Sequence, residues 1–235
     1  MRSKEKLTEV CEKFRIEGWL VHYETIKRGH INETYRVFFN TDKSYIVQKV
    51  NTFVFKSPSK IMENIDLITT HIRNKYPSRI SIHFHHTENG DNYYYDNDNS
   101  FWRLMNDIES ISYDVSDNLE LLSGAGRAFG EFQVQLSDFD ASSLHEIIEG
   151  FHNTQKRIDD FLRAVEIDLH NKASEVKHEI DFVKSAKPLA CSLTQMLANG
   201  VIPLRVTHND TKINNVLFDK ITGEPLVVID LDTVM

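Results

Sequence analysis

The run His208-Asn209-Asp210-Thr211-Lys212-Ile213-Asn214-Asn215 constrains the fold of this chain more than any other stretch. It is a polar loop set between apolar segments. Leu204-Arg205-Val206-Thr207 leads into it, and Val216-Leu217-Phe218 follows. A turn over 219–224, with Lys220-Ile221-Thr222-Gly223 as its turn chemistry, then returns the chain through Leu226 to Ile229. That second strand closes on Asp230 and Asp232. The spacing predicts a hairpin that brings Asp230 back beside the polar loop.

The residue types in this order suit one kind of chemistry. Phosphoryl transfer needs a carboxylate to orient the attacking hydroxyl, a cation on the transferred group and oxygen ligands for magnesium. Asp210 lies two residues before Lys212 and five before Asn215. His-x-Asp with Asn at that offset, followed by an apolar strand ending in Asp, is the spacing of a kinase catalytic loop and metal strand. Asp210 is the candidate base and Lys212 the candidate cation. Asn215 and Asp230 are the candidate metal ligands. Asp232 joins them as a lesser candidate, because residues two apart on an extended segment share a face. His208 is expected to brace the loop.

The rest of the sequence bounds the class. With 235 residues, 40% hydrophobic and 26% charged, the chain is expected to bury a core. Its net charge of −8 argues against a protein that coats nucleic acid. Cys11 and Cys191 have no metal-ligand spacing, which favours a reduced, cytoplasmic setting. No stretch is long and apolar enough for a membrane span.

Periodicity divides the chain at about residue 107. Residues 4–17 read as an amphipathic helix. Strands are expected at 21–26, 35–39, 45–50, 80–85, 93–95 and 101–106, with a helix over 57–75 carrying Ile61, Ile65, Ile68 and Ile72 on one face. This is the element order of a small nucleotide-binding lobe over 1–107. Residues 108–235 read as a mainly helical large lobe holding the polar loop. Its helices fall at 117–136, with a stripe of Leu119, Leu122, Phe129, Phe132 and Leu136 and with Gly124, Gly126 and Gly130 for close packing. Further helices fall at 153–170 and 173–198, the last broken or kinked at Pro188 and capped near Gly200.

The tight loop Gly29-His30-Ile31-Asn32-Glu33-Thr34 is placed to cover nucleotide phosphates with backbone N–H groups, so Gly29, Asn32 and Thr34 are nucleotide candidates. On the third strand, Gln48 and Lys49 are both candidates to face the nucleotide. They point to opposite sides, so only one can do so. Glu63, on the next helix, is the natural partner of a strand cation.

The chain resembles the aminoglycoside phosphotransferase-type small-molecule kinases, and within them the N-acetylhexosamine 1-kinases. The likeness rests on Gly29–Tyr35, Gln48–Asn51 with Val54-Phe55-Lys56, Met62–Ile65, Phe101–Met105, Gly130–Gln133, Ile148–Thr154 with Arg157, and the two C-terminal motifs. It implies an α+β, bilobal protein-kinase-like fold and ATP- and magnesium-dependent phosphorylation of a small-molecule hydroxyl, foremost the anomeric hydroxyl of an N-acetylhexosamine. By it His30 contacts the sugar, Lys212 touches the γ-phosphate, and Arg103 has a structural or site-shaping role. Similar kinases continue past the position of Met235, so the large lobe is expected to be incomplete. The alternatives are a kinase for choline, an amino-alcohol or an aminoglycoside, a nucleotide-binding module without turnover, and an interaction domain.

Overall fold

The computed structural model describes residues 3–27 and 31–235. Contact density groups the chain into two compact units, residues 1–147 with 206–235, and residues 148–205. The expected roles of Gly29 and His30 lie outside the described residues.

The first unit is built on a five-stranded antiparallel sheet of order β1-β2-β3-β5-β4. Its strands are β1 (Leu20–Ile26), β2 (Glu33–Phe39), β3 (Ser44–Val50), β4 (Tyr94–Tyr95) and β5 (Phe101–Asn106). The alternation of period two splits β3 and β5 cleanly. One face carries Tyr45, Val47, Trp102 and Leu104 onto Leu7, Val10 and Phe14. Helix α1 (Ser3–Cys11) supplies the first two of these and ends sooner than its apolar spacing suggests. Phe14 instead forms an isolated bridge to Thr87. The other face carries Val50 and Phe101 into a second core shared with α2 (Pro58–Lys75). All four of its expected stripe residues, Ile61, Ile65, Ile68 and Ile72, are buried. Residues 80–85 are not a strand. They lie along β5 through His85 N–H to Leu104 O and Asn106 N–H to His83 O, and their one bridge joins Phe84 to Met105.

Helix α3 (Leu119–Gln135) starts at Asn118, whose side chain accepts from the N–H groups of Glu120 and Leu121. Phe132 and Leu136 of the expected stripe are buried and Phe129 packs against the core, but Leu119 and Leu122 at its start are exposed. Gly124, Ala125, Ala128 and Phe132 face inward, while Leu119 is 78% exposed. Small residues take the contact because β6 (Val216–Phe218) and β7 (Pro225–Val228) approach closely. A Cβ at Gly124 would sit 3.5 Å from the Phe218 ring and from Pro225. Gly126 and Gly130 face open space, so close packing applies to Gly124 alone. The hairpin turn is fixed by Asp219, whose carboxylate accepts from the N–H groups of Ile221 and Thr222.

The second unit contains α4 (Thr154–Ile167), α5 (Lys177–Ala190) and α6 (Ser192–Ala198). Asn153 caps α4 by accepting from Lys156 N–H, and Arg157 donates to the Phe151 carbonyl. The Phe-His-Asn-Thr stretch is thus a self-braced helix start. Pro188 lies inside α5, and the break falls at Cys191. After α6 the chain turns at Gly200, φ 67°, with Val201 N–H donating to Met196 O and Gly200 N–H to Leu197 O. This paired pattern satisfies two carbonyls of the last turn.

Candidate active site

The polar loop is held from below by His208. This residue is 1% exposed, and the rings of Phe129 and Phe132 pack edge-on against it. Its Nε2–H donates to the Ile229 carbonyl at 2.9 Å, and its Nδ1 accepts from the Asp210 N–H. One nitrogen donates and the other accepts, so the ring is neutral. Burial accordingly lowers its pKa. One imidazole therefore ties the polar loop to the returning strand.

More bonds close the same seam. Thr207 and Met235 exchange backbone hydrogen bonds, Thr233 Oγ1 donates to the His208 carbonyl, and Asn209 Nδ2 donates to the Thr233 carbonyl. Asn209 and Asp230 both adopt the left-handed conformation, φ 64° and 60°. Asn and Asp tolerate it better than other residues with a Cβ. From α2, the fully buried Asn64 donates to the Val234 and His145 carbonyls and accepts from His145 N–H.

On this frame Asp210, Lys212 and Asn215 converge. Lys212 Nζ lies 2.8 Å from Asp210 Oδ2. Asn215 Nδ2 donates to Asp210 twice, to its carbonyl at 2.8 Å and to Oδ2 at 3.1 Å. That leaves Asn215 Oδ1 with no hydrogen bond among the described residues. The Ile229 N–H donates to the Asn215 carbonyl, which brings Asp230 alongside. The Asp230 carboxylate also has no hydrogen-bond partner among the described residues. It remains open to solvent, although protein atoms crowd it. Burial and then the Asp232 carboxylate push its pKa up to about 6.

Asp232 sits differently from the sequence expectation. The chain is not extended at 230–232, because the left-handed Asp230 leads into a 3-10 turn, Leu231–Thr233. Asp232 therefore turns inward and is buried, with its two oxygens paired to Arg103 Nη1 and Nη2, the latter at 3.0 Å. Asn32 Nδ2 adds a third donor at 3.0 Å. Three donors thus engage this carboxylate inside the protein, whereas that of Asp230 has none among the described residues.

The same network separates the two β3 candidates by sheet face. Gln48 pairs across the sheet with Arg103 and accepts from its Nε at 2.9 Å. Gln48 Nε2 donates in turn to Thr34 Oγ1. Gln48 thus shares the sheet face of Arg103. Lys49 lies on the opposite face, 3.6 Å from Glu33 and 6.0 Å from the Trp102 ring centroid. Glu63 does not meet a strand cation. It pairs with His145 Nε2, because the neighbouring positions Met62 and Asn64 take the buried side of α2. Asn32 accepts from Asn51 N–H as well as donating to Asp232, so its side chain is an internal tie.

Sequence reasoning left Arg103 with an unspecified shaping role, although it proves the central buried cation of this face. An Arg inside the apolar run Phe101–Met105 was the available signal, since a charge on a core strand requires a partner.

Three imidazoles, His208 buried and His83 and His85 half-buried, imply an acid sensitivity. Burial lowers His208 and His83, and lowers His85 to about 4. In the unfolded chain these rings titrate near pH 6.5. Below that value the unfolded state takes up protons that the folded state refuses, so their stabilisation is full above pH 6.5 and is lost as pH falls toward 4. Asp230 partly offsets this, because its raised pKa favours the folded state as pH drops below 6. Denaturant midpoints should hold steady above pH 6.5 and fall toward pH 4, with a shallower slope in His85→Gln. Midpoints that rise on acidification would contradict the assignment.

The family described as the phosphotransferase enzyme family matches residues 22–235. Among solved structures, an amicoumacin kinase in complex with AMP-PNP and Ca2+ superposes with a TM-score of 0.60 at 13% identity, covering 100% of this chain and 65% of its own length. An aminoglycoside phosphotransferase from Alicyclobacillus acidocaldarius gives 0.58 at 10% identity, covering 96% of this chain and 65% of its own. A spectinomycin phosphotransferase in complex with ADP and spectinomycin gives 0.56 at 14%, covering 98% and 69%. The chain thus spans only part of the length of each, and at these identities the likeness is one of fold. An antiparallel-sheet N-terminal lobe with a helical lobe, a family match running from β1 to Met235 and the loop geometry above agree: the chain belongs to the phosphotransferase enzyme family.

Proposed function

We propose that this site transfers the γ-phosphoryl group of ATP to a hydroxyl of a small molecule. The observation that carries the reading is the convergence of Asp210, Lys212 and Asn215 beside the unpartnered carboxylate of Asp230. Asp210 orients the acceptor hydroxyl and receives its proton as the bond to phosphorus forms. Lys212, which rests on Asp210, is free enough to swing to the γ-phosphate, since its side chain is 53% exposed.

Magnesium fits the donors present. Asn215 Oδ1 and the Asp230 carboxylate are hard oxygen ligands, and Asp230 sits in a field that a cation would relieve. Among the described residues no three His, Cys, Asp or Glu side chains form a metal site. This matches an ion held by one or two protein oxygens and completed by substrate phosphates. When bound, it would neutralise charge on those phosphates.

For the acceptor, we favour the anomeric hydroxyl of an N-acetylhexosamine. What supports this is the likeness of the Phe151–Thr154 and Asp230–Met235 stretches to the N-acetylhexosamine 1-kinases. An anomeric hydroxyl is also more acidic than an ordinary alcohol, so a carboxylate that mainly orients it suffices. One comparison structure carries spectinomycin, which keeps aminoglycosides as the competing acceptors. The test is ADP release from magnesium-ATP with N-acetylglucosamine, N-acetylgalactosamine, choline, kanamycin and spectinomycin in parallel. Release that depends on the N-acetylhexosamines is expected. Release only with a cationic acceptor overturns the sugar assignment, and no acceptor-dependent release overturns the activity of this chain.

A further inference from the structure

We propose that Arg103 is a positioning residue for the Asp230 carboxylate, acting through Asp232. The inference rests on the metal reading of Asp230 given above. Asp230 is the one residue of its turn whose carboxylate is left free, and it is held in a left-handed conformation that disfavours a residue with a Cβ. Something on each side must hold it there.

On the N-terminal side the clamp is Ile229, whose carbonyl accepts from His208 and whose N–H donates to Asn215. On the C-terminal side the clamp is Asp232. Its carboxylate takes both terminal nitrogens of Arg103 in a fork-to-fork pair and a third donor from Asn32. Arg103 itself has little freedom. Its guanidinium lies 5.4 Å from the Phe84 ring centroid, its Nε is spent on Gln48 and Nη1 lies 3.7 Å from Met62 Sδ. Both side chains of the ion pair are 3% exposed.

The consequence concerns the sheet cation. Kinase-like sheets usually aim a strand Lys at the nucleotide. Here that face of β3 carries Gln48, and the cation comes from β5 and points at the 230–233 turn. Asp232 thereby joins the sheet, through Arg103, and the segment before β2, through Asn32, to the turn that carries the candidate metal carboxylate.

The test uses the whole chain with AMP-PNP and Mn2+, reading free Mn2+ by electron paramagnetic resonance. Arg103→Met should raise the Mn2+ Kd by ~10–100-fold, the usual cost of losing a group that orients a ligand, while AMP-PNP affinity without metal stays unchanged. Arg103→Lys, which keeps charge but not the fork, should fall between. Lys49→Met, on the opposite face, should leave Mn2+ affinity alone. A folded Arg103→Met that binds Mn2+ within about twofold of the parent overturns the proposal. If Arg103→Met does not fold, Asn32→Ala and Asp232→Asn decide it, since each loosens the Asp232 clamp, and unchanged Mn2+ affinity in both overturns it. A parent chain whose Mn2+ binding is absent, or is untouched by Asp230→Asn, overturns the metal reading beneath it. That outcome is distinct from a parent that binds through Asp230 with Arg103 variants that bind equally well.

Discussion

Asp210→Ala is expected to lower kcat by about 10²–10⁴-fold, the usual contribution of a positioned acid–base group, with nucleotide affinity retained. The separation follows from where its contacts lie. The carboxylate meets Lys212 and Asn215, whereas the loop is held by backbone and by His208, which Asp210→Ala leaves in place. The variant should therefore fold and bind AMP-PNP but release ADP slowly. Asp210→Asn should be nearly as slow, because an amide keeps the shape and accepts no proton. The measurement is steady-state ADP release beside nucleotide titration. Turnover that survives in Asp210→Ala would remove it from the role of base. Loss of nucleotide binding together with turnover would instead place it in binding.

Phe218→Ala is expected to cost about 3–5 kcal/mol of stability, the range for emptying a fully buried aromatic site. Phe218 is 0% exposed, exchanges backbone hydrogen bonds with Ile111, and meets the Tyr113 ring edge-on at 5.5 Å. It also fills the space opposite Gly124, so α3 and the hairpin both lose a partner. Against a native stability of roughly 5–15 kcal/mol, such a loss is large. Urea midpoints at matched protein concentration would read it. Phe218→Leu should cost less, because it removes less volume and keeps an apolar body. A loss under about 1 kcal/mol for Phe218→Ala would mean that the site collapses without a cavity.

The two effects lie on adjacent segments and on different links of the argument. Asp210 does chemistry and Phe218 holds the hairpin that returns the chain to Asp230. An Asp210 variant with parental midpoints and a Phe218 variant with parental kinetics below its melting range would show that separation directly.

Much of this was legible in the residues because it depends on local spacing. The polar loop, the hairpin after it, the stripe of α2 and the three strands expected at 21–26, 35–39 and 45–50, each found with one or two more residues at its start, follow from offsets of two to five residues or from a repeat of 2 or 3.6. The α3 stripe held at Phe129, Phe132 and Leu136 but not at its start, because local apolar spacing does not reveal that a hairpin approaches closely enough to favour Gly124, Ala125 and Ala128 over Leu119 and Leu122. The 80–85 segment failed for a similar reason. Its apolar alternation is real, but it meets β5 at a single bridge.

The sequence by itself determined that Asp210, Lys212, Asn215 and Asp230 would share one place, since a short hairpin leaves the chain few ways to separate them. Only the tertiary structure decided what surrounds them. Period two puts Gln48 and Lys49 on opposite faces, but which face meets the loop depends on how the sheet docks on α2. Arg103 and Asp232 are 129 residues apart, and no repeat or offset links them. Their pairing exists because a buried guanidinium must find a carboxylate, and the left-handed turn at Asp230 delivers one.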